Sequence, residues 1–170
     1  MRALGRALAT LLRAGDLVVL TGDLGAGKTT LTQGIGAGLR VRGVVTSPTF
    51  VIARVHPSMG DGPDLVHVDA YRLADVADLD DLDLDSSVEE SVTVVEWGEG
   101  LAEDLGDSHL AITLAADPDS EVRRVTLTPV GPRWAGAGAR AALAALVTGD
   151  VDDSASGDRT RAAAAGEGSP

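Results

Sequence analysis

The sequence lacks cysteine and asparagine entirely, and each absence excludes a class of site. Without cysteine, the 170-residue chain has neither a disulfide framework nor a thiolate metal site, which fits a reducing cytosol. Without asparagine, it lacks the Asn-Lys-x-Asp motif with which GTPases select their base. The Leu-Ser-Gly-Gly signature of transporter-type ATPases is also missing, and no apolar run approaches the roughly 20 residues that span a bilayer. We therefore expect a cytoplasmic protein with no membrane segment.

Positive charge is scarce in this sequence as well. Lysine and arginine together number 14 against 26 aspartates and glutamates, which gives a formal net charge of −12 at pH 7. A strongly acidic surface repels phosphates and releases few counterions, so unaided binding to nucleic acid is disfavoured. If this protein serves an RNA pathway, we expect another molecule to hold the RNA.

The scarcest basic residue is lysine, because Lys28 is the only one in the chain. It lies in Gly22-Asp23-Leu24-Gly25-Ala26-Gly27-Lys28-Thr29, which fits the phosphate-binding loop pattern G-x-x-x-x-G-K-[ST] at every fixed position. The apolar run 17–20 before the loop is typical of a buried strand, and residues 29–39 after it favour a helix. Strand, glycine loop and helix together predict a nucleotide site rather than a simple glycine-rich turn.

The chemistry of such a loop follows from its residue types. Its glycines permit backbone conformations closed to residues with a Cβ, so that successive N–H groups can point at phosphates. The N-terminus of the following helix adds partial positive charge. We expect Lys28 to span the β- and γ-phosphates as a compact charge, and the Thr29 hydroxyl is a hard oxygen ligand suited to Mg²⁺. The loop therefore predicts ATP and Mg²⁺ as ligands.

Strand and helix patterns alternate along the chain after this loop. The predicted strands are 17–20, 49–55, 65–69, 92–96, 109–115 and 122–128. They indicate an α/β P-loop NTPase fold: a three-layer α/β/α domain with a mainly parallel sheet and an antiparallel closing strand pair.

The residue composition changes along the chain and suggests domain boundaries. We predict a P-loop ATPase domain at 1–130, a C-terminal helix within 131–148 and a disordered tail at 149–170. The first 13 residues carry arginines and no acid, as transit peptides do, although their leucine stripe favours an amphipathic helix. The acidic stretch 75–90 has neither the glycine nor the flanking helices that an EF-hand calcium loop requires, so a solvated face is favoured there.

Two carboxylates end predicted strands, where ligands bind in open α/β sheets. Glu96 follows the apolar run 92–95, and Asp69 follows 65–68. Phosphoryl transfer needs a second carboxylate near Mg²⁺, a group that acts on the attacking water, and a loop that senses the γ-phosphate. Glu96, Asp69 and the segment Ser47-Pro48-Thr49 are candidates for these roles. Three of the chain's few aromatic residues adjoin them, namely Phe50, Tyr71 and Trp97.

These motifs together resemble the TsaE (YjeE) family, the ATPase subunit of the bacterial machinery for the N6-threonylcarbamoyladenosine (t6A) modification of tRNA. The residues that carry the resemblance are Gly22 to Thr30, Thr46-Ser47-Pro48-Thr49-Phe50, His67-Val68-Asp69-Ala70-Tyr71-Arg72-Leu73 and Val95-Glu96-Trp97. The motifs occur in the family's order and spacing, and the likeness covers about residues 4–128.

The resemblance implies a role for each matching residue. Lys28 and Thr29 would bind phosphate and Mg²⁺, and Glu96 would be the second carboxylate on the metal side. Asp69 is implicated in hydrolysis, and Thr49 belongs to a switch-like loop. We expect the remaining loop residues up to Thr30, together with Trp97, to contact ATP.

The resemblance also implies partners. Members of the family work with TsaD and TsaB, and their ATP hydrolysis resets the TsaD complex between rounds of modification. The resemblance implies that this protein would contact tRNA only indirectly, through that complex.

The sequence departs from the family at both ends. Members usually begin with a strand and a polar segment that contributes to the nucleotide site, whereas this sequence starts within the helix matching Ala3 to Leu12. Either the start is misplaced or the chain is truncated, and we expect nucleotide affinity to depend on which applies. Residues from about Gly131 lie outside the usual core and receive no role.

Two other functions remain open at this point. A small-molecule kinase could use Arg123 and Arg124 as phosphate clamps, although these two arginines fall on a predicted closing strand. A nucleotide-dependent binding module would use ATP occupancy rather than turnover as its output.

Overall fold

The structure of this protein is a computed structural model that describes residues 1–48, 51–73, 89–117 and 122–148. Thr49 and Phe50 lie outside the described residues, as do 74–88 in the acidic stretch, 118–121 and the predicted tail at 149–170. The roles and conformations predicted for those residues stay predictions.

The described residues form six strands and three α-helices. The strands are β1 (Leu17–Gly22), β2 (Ala53–His56), β3 (Asp64–Asp69), β4 (Ser91–Glu96), β5 (His109–Ala116) and β6 (Arg123–Val130). The helices are α1 (Arg2–Ala9), α2 (Lys28–Gly38) and α3 (Ala137–Thr148). Short 3₁₀ turns lie at Ala70–Arg72, Glu103–Leu105 and Pro132–Trp134.

All six strands join one sheet in the order β2-β3-β4-β1-β5-β6. The neighbours β3–β4, β4–β1 and β1–β5 are parallel, and β5–β6 is the predicted antiparallel closing pair. A second antiparallel pair, β2–β3, lies at the opposite edge, and no sequence pattern indicated it. The predicted α/β P-loop NTPase fold is confirmed. Because β1 lies between two parallel strands, the loop after it opens at the carboxyl edge of the sheet, where ligands bind in such folds.

The strand predicted at 49–55 begins later than expected, at Ala53, so its predicted start was wrong. The N–H groups of Val51 and Ile52 both donate to the Pro48 carbonyl, at 2.9 and 2.8 Å, which closes a turn before the strand. Ile52 has a φ of 67°, outside the extended region. Although the run is rich in β-branched residues, it is extended as a strand only from Ala53 onward.

The three helices pack over one face of the sheet, where they share a single apolar core with β1, β4 and β5. Helices α1 and α2 approach closely at Gly5 and Gly34. A Cβ on Gly5 would meet the Leu31 carbonyl, and one on Gly34 would meet the Arg2 carbonyl, so neither position accommodates a side chain. This close contact holds α2, and with it the phosphate-loop motif at its start, firmly against the N-terminal helix.

The opposite face of the sheet has its own apolar cluster. Leu17, Val19, Val66, Val68 and Val95 project there from β1, β3 and β4. Among the described residues, the segment 98–105, with its short 3₁₀ turn, covers this cluster through Ala102, Leu101 and Leu105. The alternation of the two clusters along each strand follows from the period-2 geometry of β-structure.

The segment after Gly131, for which the sequence indicates no role, belongs to the core. Trp134 is 2% exposed and packs in the helix-side cluster together with Leu143 from α3. Beside it, Arg133 forms a two-pronged ion pair with buried Asp16, with Nε–Oδ1 at 2.8 Å and Nη2–Oδ2 at 2.9 Å. The end of the described chain is thus tied to the residue that precedes β1.

None of the helices in the described ranges combines the length and the apolar content that crossing a bilayer requires.

Candidate functional site

The loop between β1 and α2 contains glycines with positive φ angles, Gly22 and Gly27 among them. Gly22 has a φ of 141° and Gly27 a φ of 106°, both in the region that favours glycine. A Cβ on Gly22 would also collide with the Leu114 carbonyl of the neighbouring strand β5. Gly27 caps α2, which begins at Lys28. The first N–H groups of a helix have no intrahelical acceptors, so the start of α2 presents donors and partial positive charge to the space beside the loop.

Lys28 is folded back over its own loop. Its Nζ donates to the carbonyls of Gly22 and Asp23, at 2.6 and 3.0 Å, and lies 3.5 Å from the centroid of the Trp97 ring. Burial lowers the pKa of this lysine from 10.5, while the carboxylates of Glu96, Asp69 and Asp23 act in the opposite direction. The ammonium group is therefore held by carbonyl dipoles and an aromatic face at the centre of three nearby acids.

Trp97 adopts a conformation that is uncommon for a bulky residue. Its φ is 63°, and its backbone N–H donates to the Leu20 carbonyl at 2.9 Å. The Tyr71 ring packs against the indole with the centroids 5.1 Å apart and the planes tilted by 57°. Left-handed backbone at a large side chain is a strained state that occurs preferentially at functional sites. Here it turns the chain after β4 so that the indole comes to lie against Lys28.

Thr29 and Glu96 meet beside the lysine. The Thr29 hydroxyl donates to Glu96 Oε2 at 3.0 Å, and the other carboxylate oxygen, Oε1, lies 2.7 Å from Nε2 of His67. Glu96 is 3% exposed, so both oxygens have partners in an environment with little access to water. The arrangement brings together, at the start of α2, two hard oxygen atoms of the kind that bind metal ions.

Asp69 occupies the neighbouring position at the end of β3, directly opposite Glu96 in the parallel register. The Ser47 hydroxyl donates to its Oδ2 at 3.1 Å, and the Tyr71 N–H donates to its Oδ1 at 3.2 Å. The carboxylate is buried and held in a defined orientation toward the same space as Glu96. This geometry suits a group that orients or accepts a proton.

These side chains line one cavity of about 550 Å³. Its lining consists of Leu24, Gly25, Gly27, Lys28, Thr29, Thr30, Ser47, Asp69, Tyr71, Glu96 and Trp97. The sequence predicted a ligand contact for all of these except Ser47, which it placed in the switch-like segment, and Tyr71, which it placed only beside Asp69. Gly22, Asp23 and Ala26 do not line the cavity, but the first two hold Lys28 through their carbonyls, and the Ala26 N–H donates to the Asp23 carbonyl.

His67 is the site residue for which sequence reasoning indicated no role. It was part of a family motif without an assigned function, yet its ring contacts Glu96 from within the core. The available signal was its spacing from Asp69, since residues two apart on a strand share a face. The sequence pattern of β3 alone does not show that its neighbour is β4, and so it does not show that His67 contacts Glu96.

The protein oxygens at this site fit a metal ion that takes most of its ligands from water and from the substrate. In the described ranges, no three His, Asp or Glu side chains form a cluster that could hold a metal ion by themselves. Mg²⁺ is commonly bound by one or two protein oxygens plus phosphate and water. Thr29 Oγ1 and Glu96 Oε2 are two such oxygens at the mouth of a phosphate-type loop.

The alternative phosphate clamps lie elsewhere. Arg123 and Arg124 are on β6, the far edge strand, and pair with Ala116 and Ala115 of β5. Neither lines the cavity. The feature that favoured a small-molecule kinase is therefore not part of this site.

Comparison with known proteins gives consistent matches. Residues 1–125 match the family described as threonylcarbamoyl adenosine biosynthesis protein TsaE. A Streptomyces coelicolor relative named tRNA threonylcarbamoyladenosine biosynthesis protein TsaE is 65% identical over 139 residues, 79% of this chain and 94% of the relative. A Bacillus subtilis relative of the same name is 38% identical over 135 residues, 78% of this chain and 82% of the relative.

A solved structure agrees with these sequence matches. The crystal structure of Bacillus subtilis YdiB superposes with a TM-score of 0.65 at 31% identity and covers 85% of each chain. The family match extends over most of this chain and includes every cavity residue. This chain therefore belongs to the TsaE family of threonylcarbamoyl adenosine biosynthesis proteins.

Proposed function

We propose that this chain binds ATP with Mg²⁺ in the cavity at the start of α2 and hydrolyses it in support of tRNA threonylcarbamoyladenosine biosynthesis. Family membership and the names of the relatives support the pathway. The observation that carries the chemistry is the contact of Thr29 with Glu96 beside Lys28, because it unites a phosphate-binding cation with two Mg²⁺-compatible oxygens.

The cavity has the size and surfaces for a nucleotide. Its volume of about 550 Å³ lies within the usual range for small-molecule sites, roughly 300–1,000 Å³. The loop N–H groups and Lys28 would bind the phosphates, and the Trp97 and Tyr71 rings form an apolar wall beside them. To reach the β- and γ-phosphates, the Lys28 ammonium would exchange its bonds to the Gly22 and Asp23 carbonyls for bonds to phosphate oxygens.

Thr29 and Glu96 are the residues that would hold Mg²⁺, which when bound neutralises charge on the β- and γ-phosphates. Asp69 would act on the attacking water, as base or orienter, because its carboxylate is fixed by Ser47 and Tyr71 and shares the cavity with Lys28. Lys28 would stabilise the charge that develops on the transferred group. Thr49 would contribute through the switch-like loop that begins beside Ser47.

The partners in this proposal are TsaD and TsaB homologues in the cytoplasm. Hydrolysis would reset the TsaD–TsaB complex between rounds of modification, and tRNA would be met only through that complex. The net charge of −12 supports the indirect role, since an acidic protein gains little from phosphate contacts. On this view the isolated chain is a weak ATPase and becomes active in the complex.

A combined ATPase and filter-binding series tests the proposal. It compares the chain alone, the chain with TsaD and TsaB, and each of these with tRNA. We expect slow turnover alone, strong stimulation by the partners, and tRNA retention only when the partners are present. Tight tRNA binding by the isolated chain at physiological salt, or full turnover without partners, would contradict the model. Partner binding that follows ATP occupancy with no turnover would favour the binding-module function instead.

A further inference from the structure

Glu96 has a second contact that the proposed chemistry does not use. Its Oε1 lies 2.7 Å from Nε2 of His67, a side chain with no exposed surface. In the parallel register, His67 pairs with Val94, two residues before Glu96 on the same face of β4. The imidazole therefore approaches Glu96 from inside the core, on the side away from the cavity that Thr29 lines.

The direction of this hydrogen bond follows from the chemistry of the two groups. A carboxylate only accepts, so the short contact requires that Nε2 of His67 carry the proton. The other ring nitrogen, Nδ1, is buried and has no hydrogen-bond partner among the residues described.

A buried glutamate needs such a donor to keep one orientation. Its side chain has three rotatable bonds, and an oxygen removed from water without a partner is costly. With Oε1 anchored by His67, Oε2 is directed at the Thr29 hydroxyl, 3.0 Å away. Hydrogen bonds of this kind, made behind a metal-binding group, orient the ligand and strengthen metal binding.

We propose that His67 is a positioning residue whose Nε2–H fixes the Glu96 carboxylate so that the opposite oxygen is presented, with Thr29, to a divalent cation. The inference rests on the proposed Mg²⁺–ATP function and adds the residue on which the geometry of that site depends. His67 itself is not among the residues that line the cavity, so in this proposal it would act on the cation only through Glu96.

The test measures binding of a non-hydrolysable ATP analogue to the full chain by calorimetry, with Mg²⁺ and with EDTA. His67→Leu removes the donor at similar bulk, whereas His67→Gln retains an N–H near the position of Nε2. We expect His67→Leu to weaken Mg²⁺-dependent binding by roughly 10- to 100-fold and to leave binding in EDTA unchanged. His67→Gln should recover most of the loss.

His56→Leu is the matched control. His56 is also buried, at 4% exposure, and lies on the adjacent strand β2, but neither described hydrogen bond of Glu96 involves it. It should bind the analogue as the wild type does. A full Mg²⁺ response in His67→Leu, or an equal defect in the Gln and Leu variants, would overturn the positioning role. A wild type that binds no nucleotide in either condition would instead defeat the proposed function, and this inference with it.

Nitrogen-15 spectra of the imidazoles provide a second measurement, in which His67 itself is left unchanged. The chain has only three histidines, so their ring signals can be assigned by substituting the other two. We expect His67 to be protonated on Nε2 and its Nε2 signal to move when Mg²⁺ and the analogue are added together, more than the signals of His56. Protonation on Nδ1, or an unchanged His67 signal in the saturated complex, would contradict the proposal.

Discussion

The Thr29 hydroxyl and the Glu96 carboxylate lie 3.0 Å apart although 67 positions separate them in the chain. Thr29 is in the first turn of α2, and Glu96 is the last residue of β4. They meet because β4 is the parallel neighbour of β1, the strand that leads into the phosphate-type loop. The order of strands in the sheet thus assembles the metal half of the candidate site.

Thr29→Ala should impair Mg²⁺-dependent hydrolysis more than nucleotide binding, because phosphate contacts from Lys28 and the loop remain. Glu96→Gln should shift the Mg²⁺ concentration required for half-maximal turnover upward by roughly tenfold or more. ATPase assays over a Mg²⁺ series, with partners present, measure both effects. Exposed Glu99, three residues further on, provides the control, and Glu99→Gln should leave the curve in place. An unshifted curve in Glu96→Gln would remove Glu96 from the metal site.

Lys28→Ala should reduce ATP affinity by roughly 100-fold or more, because the γ-phosphate charge would lose its principal cation. Calorimetry on the folded variant measures the loss, with circular dichroism to verify folding. Arg140→Ala, at an exposed position of α3, changes the net charge equally and should not alter the affinity. Equal affinity in wild type and Lys28→Ala would refute the phosphate-loop assignment.

Asp69→Asn should lower turnover at least roughly 100-fold while ATP still binds, because the amide cannot accept the proton of the attacking water. Single-turnover measurements with partners separate this effect from binding. Asp64→Asn at the opposite end of β3 is the matched control, since Asp64 contacts the Ser58 N–H and not the cavity. Full partner-stimulated turnover in Asp69→Asn would make the residue structural.

Arg133→Met should lower the free energy of unfolding by about 3 kcal/mol, because it leaves the Asp16 carboxylate buried without its cation. Urea unfolding of the full chain measures the change. Arg140→Met, at an exposed position, should cost less than about 0.5 kcal/mol. A loss at Arg133 no larger than that at Arg140 would show that the segment after Gly131 is not anchored by this ion pair.

Acid should destabilise the fold through His56. Burial lowers the pKa of His56 below 6.5, the nearby His67 acts in the same direction, and a hydrogen bond to the Arg42 backbone opposes both. The unfolded chain therefore takes up this proton at a higher pH than the folded chain. As the pH falls from 6.5 toward the lowered value, the free energy of unfolding should decrease, by at most about 1.4 kcal/mol per pH unit, and then level off.

His56→Gln should remove this component. Urea unfolding between about pH 7.5 and about pH 5 would then show a flatter dependence in the variant than in the wild type, whatever the absolute stability of each. Parallel curves for the two proteins would show that His56 does not titrate between the folded and unfolded states in the way its burial implies.

Local residue chemistry by itself determined much of this protein. The glycine spacing around Lys28 and Thr29 specifies a tight loop before a helix, and the loop has the positive φ angles that such spacing requires. The apolar runs before Asp69 and Glu96 specify buried strands with polar ends. These features are encoded within a few consecutive residues, so a sequence pattern reports them directly.

Other features were decided only by tertiary structure, because they depend on which distant segments become neighbours. Strand order places Glu96 against Thr29 and His67, and no local pattern specifies that order. The start of β2 was mispredicted because a turn at Ile52 overrides β-branched propensity. The ion pair of Arg133 with Asp16 joins residues that are 117 positions apart. The sequence alone determined the chemical groups and their local geometry, and packing of the sheet decided which of them share one site.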